Sequence, residues 1–98
     1  MSAYFIASFA ITNEDAYQKY LKQVGKILVD HRAEVLVADY ASEALEGAPP
    51  PVTVVLRFES KEAARGWYES PEYQAIVHHR HENSEGIGVL CEGFAPGT

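Results

Sequence analysis

Residues 3–11, AYFIASFAI, constrain the fold more than any other stretch. They are rich in aromatic and β-branched side chains and contain no glycine or proline, which predicts a strand. Successive side chains of a strand point to opposite faces. Tyr4, Ile6, Ser8 and Ala10 therefore share one face, and Phe5, Ala7, Phe9 and Ile11 the other. Both faces are largely apolar, so neither suits water. Helices of the same chain can cover one side. The second side needs another cover, and a second copy of the chain is the simplest.

The remaining elements follow in order. Thr12 or Asn13 caps a helix that runs to about His31, with Glu14 and Asp15 in its first turn. Ala16, Tyr17, Tyr20, Leu21, Val24, Ile27 and Leu28 recur at helical spacing and form one apolar stripe. Gly25 inside that helix predicts a bend or a close contact, because glycine there costs about 1 kcal/mol against alanine. Residues 33–40 read as a second strand and 52–58, VTVVLRF, as a third. The irregular stretch between them holds a short extended piece, Glu43 to Leu45, and the triple proline Pro49 to Pro51. Ser60 caps a second helix over 61–69. Ser70 caps a third, with Pro71 at its first position, predicted to continue to about Asn83. Residues 86–94, GIGVLCEGF, are the last strand. The order is βαββαβ with the second α element split in two. This is a ferredoxin-like α+β fold: a four-stranded antiparallel sheet with helices on one face, in a single domain over 1–98.

Charge narrows the partners. The chain carries a formal net charge of −6, and its Lys and Arg residues are scattered. That composition argues against nucleic acid and anionic membranes as partners. The one cysteine, Cys91, excludes an internal disulfide and fits a reducing compartment. It reads as a buried thiol in an apolar strand. Met1-Ser2-Ala3-Tyr4 has no charged leader region, and no apolar run approaches the roughly 18 residues of a membrane span. The expectation is a cytoplasmic protein.

The run FESKEAARGWYESPEYQ, Phe58 to Gln74, followed by Arg80, resembles the small bacterial family called domain of unknown function 1330. Ala16-Tyr17 with Tyr20, Leu45-Glu46-Gly47 and Glu92-Gly93 extend the resemblance over nearly the whole chain. The chain departs from the family pattern around the second strand. Asp30-His31-Arg32-Ala33 and Asp39-Tyr40 stand where that family tends to place glycines. The resemblance implies the dimeric α+β barrel superfamily: a homodimer joined through sheet faces, with helices outside. Enzymes of that superfamily include cofactor-independent monooxygenases, isomerases and haem-degrading proteins, with ligands between sheet and helices. The family itself implies no settled activity, and fold analogy does not supply one.

Arg80 is the sharpest candidate site residue. On a helical wheel through the third helix it falls between Ile76 and Val77, on the face of Tyr73. An arginine there either pairs with a buried acceptor or faces a cleft that holds an anionic ligand such as a carboxylate or enolate. Trp67, Tyr68 and Tyr73, and likewise Tyr17 and Tyr20, line such a cleft or belong to the core. Arg57 contributes to the cleft or pairs with Glu92 or Glu59. The catalytic base is unassigned, with His79 and Tyr73 as candidates beside Arg80. His78, His79 and His81 point in well-separated directions. Only His78 with His81 or Glu82 could share a metal, and the spacing matches no zinc motif, so no metal and no cofactor are expected. Asp30-His31 reads as a helix end. The functional expectation is a protein that binds a small anionic organic molecule, working as a cofactor-independent oxygenase or isomerase if it is an enzyme. The alternative is a non-catalytic homodimeric module.

Overall fold

The structure is a computed structural model that describes residues 1–95. Its elements are β1 (Ala3–Ile11), α1 (Glu14–Asp30), β2 (Glu34–Asp39), β3 (Val52–Phe58), α2 (Lys61–Tyr68), α3 (Pro71–Gln74), α4 (Val77–His81) and β4 (Ser84–Glu92). The strands form one antiparallel sheet in the order β2-β3-β1-β4. The two-sided strand β1 is central, as its apolar character demands. The short dimension of the molecule is 16 Å, which leaves room for one sheet and one helical layer.

Side-chain chemistry sets the boundaries. Asn13 starts α1 by accepting the Ala16 N–H at 3.2 Å, and Ser60 starts α2 by accepting that of Ala63 at 3.0 Å. Ser70 joins α2 to α3. Its hydroxyl donates to the Trp67 carbonyl at 2.8 Å and accepts the Tyr73 N–H at 3.2 Å. The corner is thereby fixed from both sides, and Pro71 presets the first turn of α3.

The helices pack on Ala7, Phe9, Val52, Leu56 and Phe58. Tyr17, Tyr20, Val24, Ile27 and Leu28 of α1 face them, with Trp67, Tyr73, Ile76 and Val77 from the second helical half. Trp67 sits at the centre of this core, 4.3 Å between ring centroids from Tyr73 and 5.4 Å from both Phe5 and Phe58. The opposite sheet face carries Tyr4, Ile6, Val55, Val89 and Ile87, and no part of the described chain packs a layer over it.

Four expectations are corrected. The third helix is not continuous to Asn83: α3 ends at Gln74 and α4 starts at Val77. The Ile76 N–H bonds to the Tyr73 carbonyl, and the His79 N–H to that of Ile76, so a tighter turn replaces the α pattern. Tyr73, Ile76, Val77 and Arg80 are nevertheless all buried, because this turn keeps the same handedness. β4 starts at Ser84 rather than Gly86 and ends at Glu92, since its first residue already pairs with Ile11. Residues 43–45 form no strand. Cys91 is half-buried, because it lies on the uncovered face of the sheet.

Candidate functional site

α4 directs Arg80 at the helix-side face of β1. Its guanidinium carbon lies 5.9 Å from the Phe5 ring centroid and 6.0 Å from that of Phe9. Arg80 is only 8 % exposed. One terminal nitrogen lies 3.3 Å from His81 Nε2, and Nε is buried without a hydrogen-bond partner. The ion pairs among the described residues join Lys26 to Asp30, His31 to Glu72 and Arg57 to Glu34. None of these acids reaches Arg80. The two ring faces return about 0.5–2 kcal/mol each. Burial of an unpaired ion costs several kcal/mol. The guanidinium is therefore a buried cation with unused donors.

Two cavities meet at this cation. The larger, about 610 Å3, lies between β4 and the helices α2 and α4, with Arg65, Glu69, Arg80, His81 and Ser84 as its polar lining. Its floor exists because β4 has glycine at alternate positions. A Cβ on Gly86 would lie 2.5 Å from Phe9 Cα, and one on Gly88 would lie 2.9 Å from the tip of the Phe5 ring. The smaller cavity, about 220 Å3, runs between α1 and the β2–β3 side of the sheet. Its lining is apolar apart from the Tyr17, Tyr20 and Tyr40 side chains and Arg80 at its inner end. Phe5, Phe9 and Arg80 wall both cavities.

The phenols around Arg80 are donors rather than bases. The Tyr20 and Tyr73 hydroxyls share a bond of 2.8 Å. Burial raises the pKa of Tyr73, and the positive charge of Arg80 offsets that only in part. Burial and then the neighbouring Tyr73 raise Tyr20. Burial and then Tyr40 raise Tyr17. All three stay protonated near neutral pH. His81 moves the other way: partial burial and the Arg80 charge lower its pKa, so its imidazole is neutral at pH 7.

The structure gathers some of the sequence candidates and separates others. Arg80 and Tyr17 line the smaller cavity. Tyr73 is fully buried and reaches the site through its bond to Tyr20 and its own interaction with Arg80. Trp67 lines neither cavity and packs in the core, with its indole nitrogen unpartnered. Arg57 lies on the opposite sheet face, 3.5 Å from Glu34 rather than beside Glu92 or Glu59. His79 is outside both cavities, its ring 4.0 Å from that of His78. Among the described residues, no three of His, Cys, Asp and Glu gather as a metal-ligand set. Sequence reasoning read His81 as an outward-facing histidine and so did not bring it to the site, where it lines the larger cavity. It also missed Gly86 and Gly88, whose two-residue spacing already puts both on one face of the strand.

The family model for domain of unknown function 1330 matches residues 2–94. The chain belongs to the DUF1330 family. No curated protein matches it. A protein of unknown function from Rhodopseudomonas palustris is 14 % identical, with a TM-score of 0.78 over 97 % of this chain and 84 % of that one. SnoaB, a cofactor-independent oxygenase from Streptomyces nogalater, is 10 % identical at a TM-score of 0.65, covering 96 % of this chain and 94 % of the other. A ferredoxin-like protein of the dabb family from Mesorhizobium loti is 13 % identical at 0.67, covering 96 % and 98 %. At these identities the likeness is one of fold. This DUF1330 chain has the ferredoxin-like arrangement.

Proposed function

We propose that this protein binds a small organic anion between its sheet and its helices, with Arg80 as the clamp. The carrying observation is the buried guanidinium, without an acid and with a free Nε, at the junction of two cavities. A structural arginine would be satisfied by carbonyls or a carboxylate. Arg80 meets His81 Nε2 and the Tyr73 phenol but no acid, and its Nε stays free for something that enters. Five N–H groups in a planar fork match a carboxylate or an enolate oxygen.

The same geometry supports chemistry without a cofactor. Once the ligand anion takes the Arg80 N–H that His81 Nε2 now accepts, a carbon acid in the larger cavity would lose its proton to that nitrogen of the neutral imidazole. Arg80 would stabilise the enolate oxygen that develops. The products are an enolate and an imidazolium. Reprotonation at another atom completes an isomerisation, and reaction of the enolate with dioxygen begins an oxygenation. The fold shared with a cofactor-independent oxygenase is consistent with this reading. The working unit is a homodimer closed through the uncovered sheet face.

A thermal-shift series with small organic acids tests the clamp. A ligand at a hundred times its dissociation constant stabilises by roughly 2.7 kcal/mol. Stabilisation of wild type, lost in a folded Arg80→Met variant, is the expected result. Equal stabilisation of both proteins would remove Arg80 from the site. No stabilisation by any acid, with Arg80→Met strongly destabilised, would favour a non-catalytic module in which Arg80 is structural.

A further inference from the structure

We infer that the smaller cavity holds a hydrophobic monocarboxylate with a tail the size of one ring, its acid group on Arg80. This rests on the clamp reading above and names a ligand class for the smaller cavity; the deprotonation at His81 concerns the larger cavity, since His81 lines that one and not this one. Three observations converge on it. At the Arg80 end of the cavity the wall carries the guanidinium charge, and the other polar groups on the wall are the Tyr17, Tyr20 and Tyr40 phenols. A carboxylate fits that end, and a second charged group would meet no partner along Leu21, Val24, Leu28, Val54 and Leu56. The volume, about 220 Å3, sets the tail. An apolar cavity of about 150 Å3 already admits benzene, so one substituted ring fits here.

The third observation is Gly25. It lines this cavity on α1, and an added Cβ would meet nothing within 4 Å. No tight contact explains a glycine in the middle of a 17-residue helix. On the wheel Gly25 lies beyond Leu21 at the margin of the buried stripe, and Val35 of β2, 52 % exposed, stands among the lining residues. The missing side chain keeps the mouth between α1 and β2 open. A larger residue at 25 would close the mouth without touching the core.

Binding of acetate, phenylacetate and phenylacetamide is to be followed by two-dimensional amide NMR titration. Wild type, Gly25→Leu, Val35→Phe and Arg80→Met are compared. Burying a ring in place of a methyl is worth roughly tenfold to a hundredfold in affinity. Phenylacetate is therefore expected to bind wild type at least about tenfold tighter than acetate. The neutral amide should bind more weakly than phenylacetate. Gly25→Leu and Val35→Phe should reduce phenylacetate to the level of acetate and leave acetate unchanged. Arg80→Met should lose both acids. If both mouth variants bind phenylacetate as wild type does, or if acetate and phenylacetate bind alike, the cavity assignment fails while the clamp stands. If no acid binds, or Arg80→Met binds them unchanged, the clamp fails and the substrate class with it.

Discussion

Arg80 is held out of water at a net loss, and that has a measurable consequence. Methionine has a similar length and no charge to desolvate. Arg80→Met is therefore expected to leave the fold within about 1 kcal/mol of wild type, or to stabilise it. For a domain of this size 1 kcal/mol is roughly 4–8 °C in Tm, which calorimetry resolves. A loss of more than about 3 kcal/mol would mean that the fold depends on the cation. The Tyr20–Tyr73 pair makes the opposite prediction. Replacing either by phenylalanine strands a buried hydroxyl and costs about 1–3 kcal/mol. The double variant should cost clearly less than the two losses together, because both remove the same bond. His81 gives a pH dependence with a definite sign. Its pKa is lowered in the fold from 6.5 by burial and by Arg80, so the unfolded chain binds the proton more readily. Stability is full above 6.5 and falls as the pH drops from there through the lowered value. Urea midpoints at pH 7 and pH 5 should differ less in His81→Gln than in wild type. Carboxylate contributions such as that of Glu72 are common to both proteins.

The elements show how much of this was readable beforehand. β1, α1, β3 and α2 came within a residue of their observed limits, because caps, breakers and periodicity agreed at each end. The position of Arg80 was legible for the same reason: wheel geometry needs only local order. The break between α3 and α4 was not, since Ala75 and Ile76 carry neither glycine nor proline. That turn is imposed by packing of Tyr73 and Val77 into the core. The cavities were illegible for a different reason. They arise where glycines of β4 pass beneath the rings of β1, and where α1 stands clear of β2. These are relations between elements distant in the chain. At the C-terminal end of α1, Arg32 has a φ of 58°. Its N–H bonds to the Val29 carbonyl at 3.0 Å, and that of Ala33 to Leu28 at 2.9 Å, which is the pattern that ordinarily ends in glycine. Arg32→Gly is expected to stabilise by about 1 kcal/mol, read from urea unfolding. Gly25→Ala should add up to about 1 kcal/mol more by helix propensity.

At the scale of the whole molecule, one sheet face has helices and the other has none. Ile87 is 68 % exposed and Val89 is 45 % exposed on the bare side, beside Ile6 and Val55. Isolated exposed apolar residues are ordinary, but a contiguous β-branched surface on a sheet face is expected to be covered by a partner. Two copies joined through it would bury Tyr4 and Cys91 as well, and would turn two thin layers into four. Standard interfaces bury about 800 Å2 per partner, an area a sheet face of four strands can supply. The expectation is a dimer at micromolar concentration by sedimentation velocity. Ile87→Glu with Val89→Glu tests the face itself. Both side chains are already exposed in the single chain, so the fold should hold. A twofold axis brings each new charge near its own copy, and like charges placed together across an interface cost several kcal/mol. Dimer affinity should fall by at least about a hundredfold, leaving a folded monomer. A wild-type monomer at these concentrations, or a double variant that still dimerises with wild-type affinity, would place the contact elsewhere.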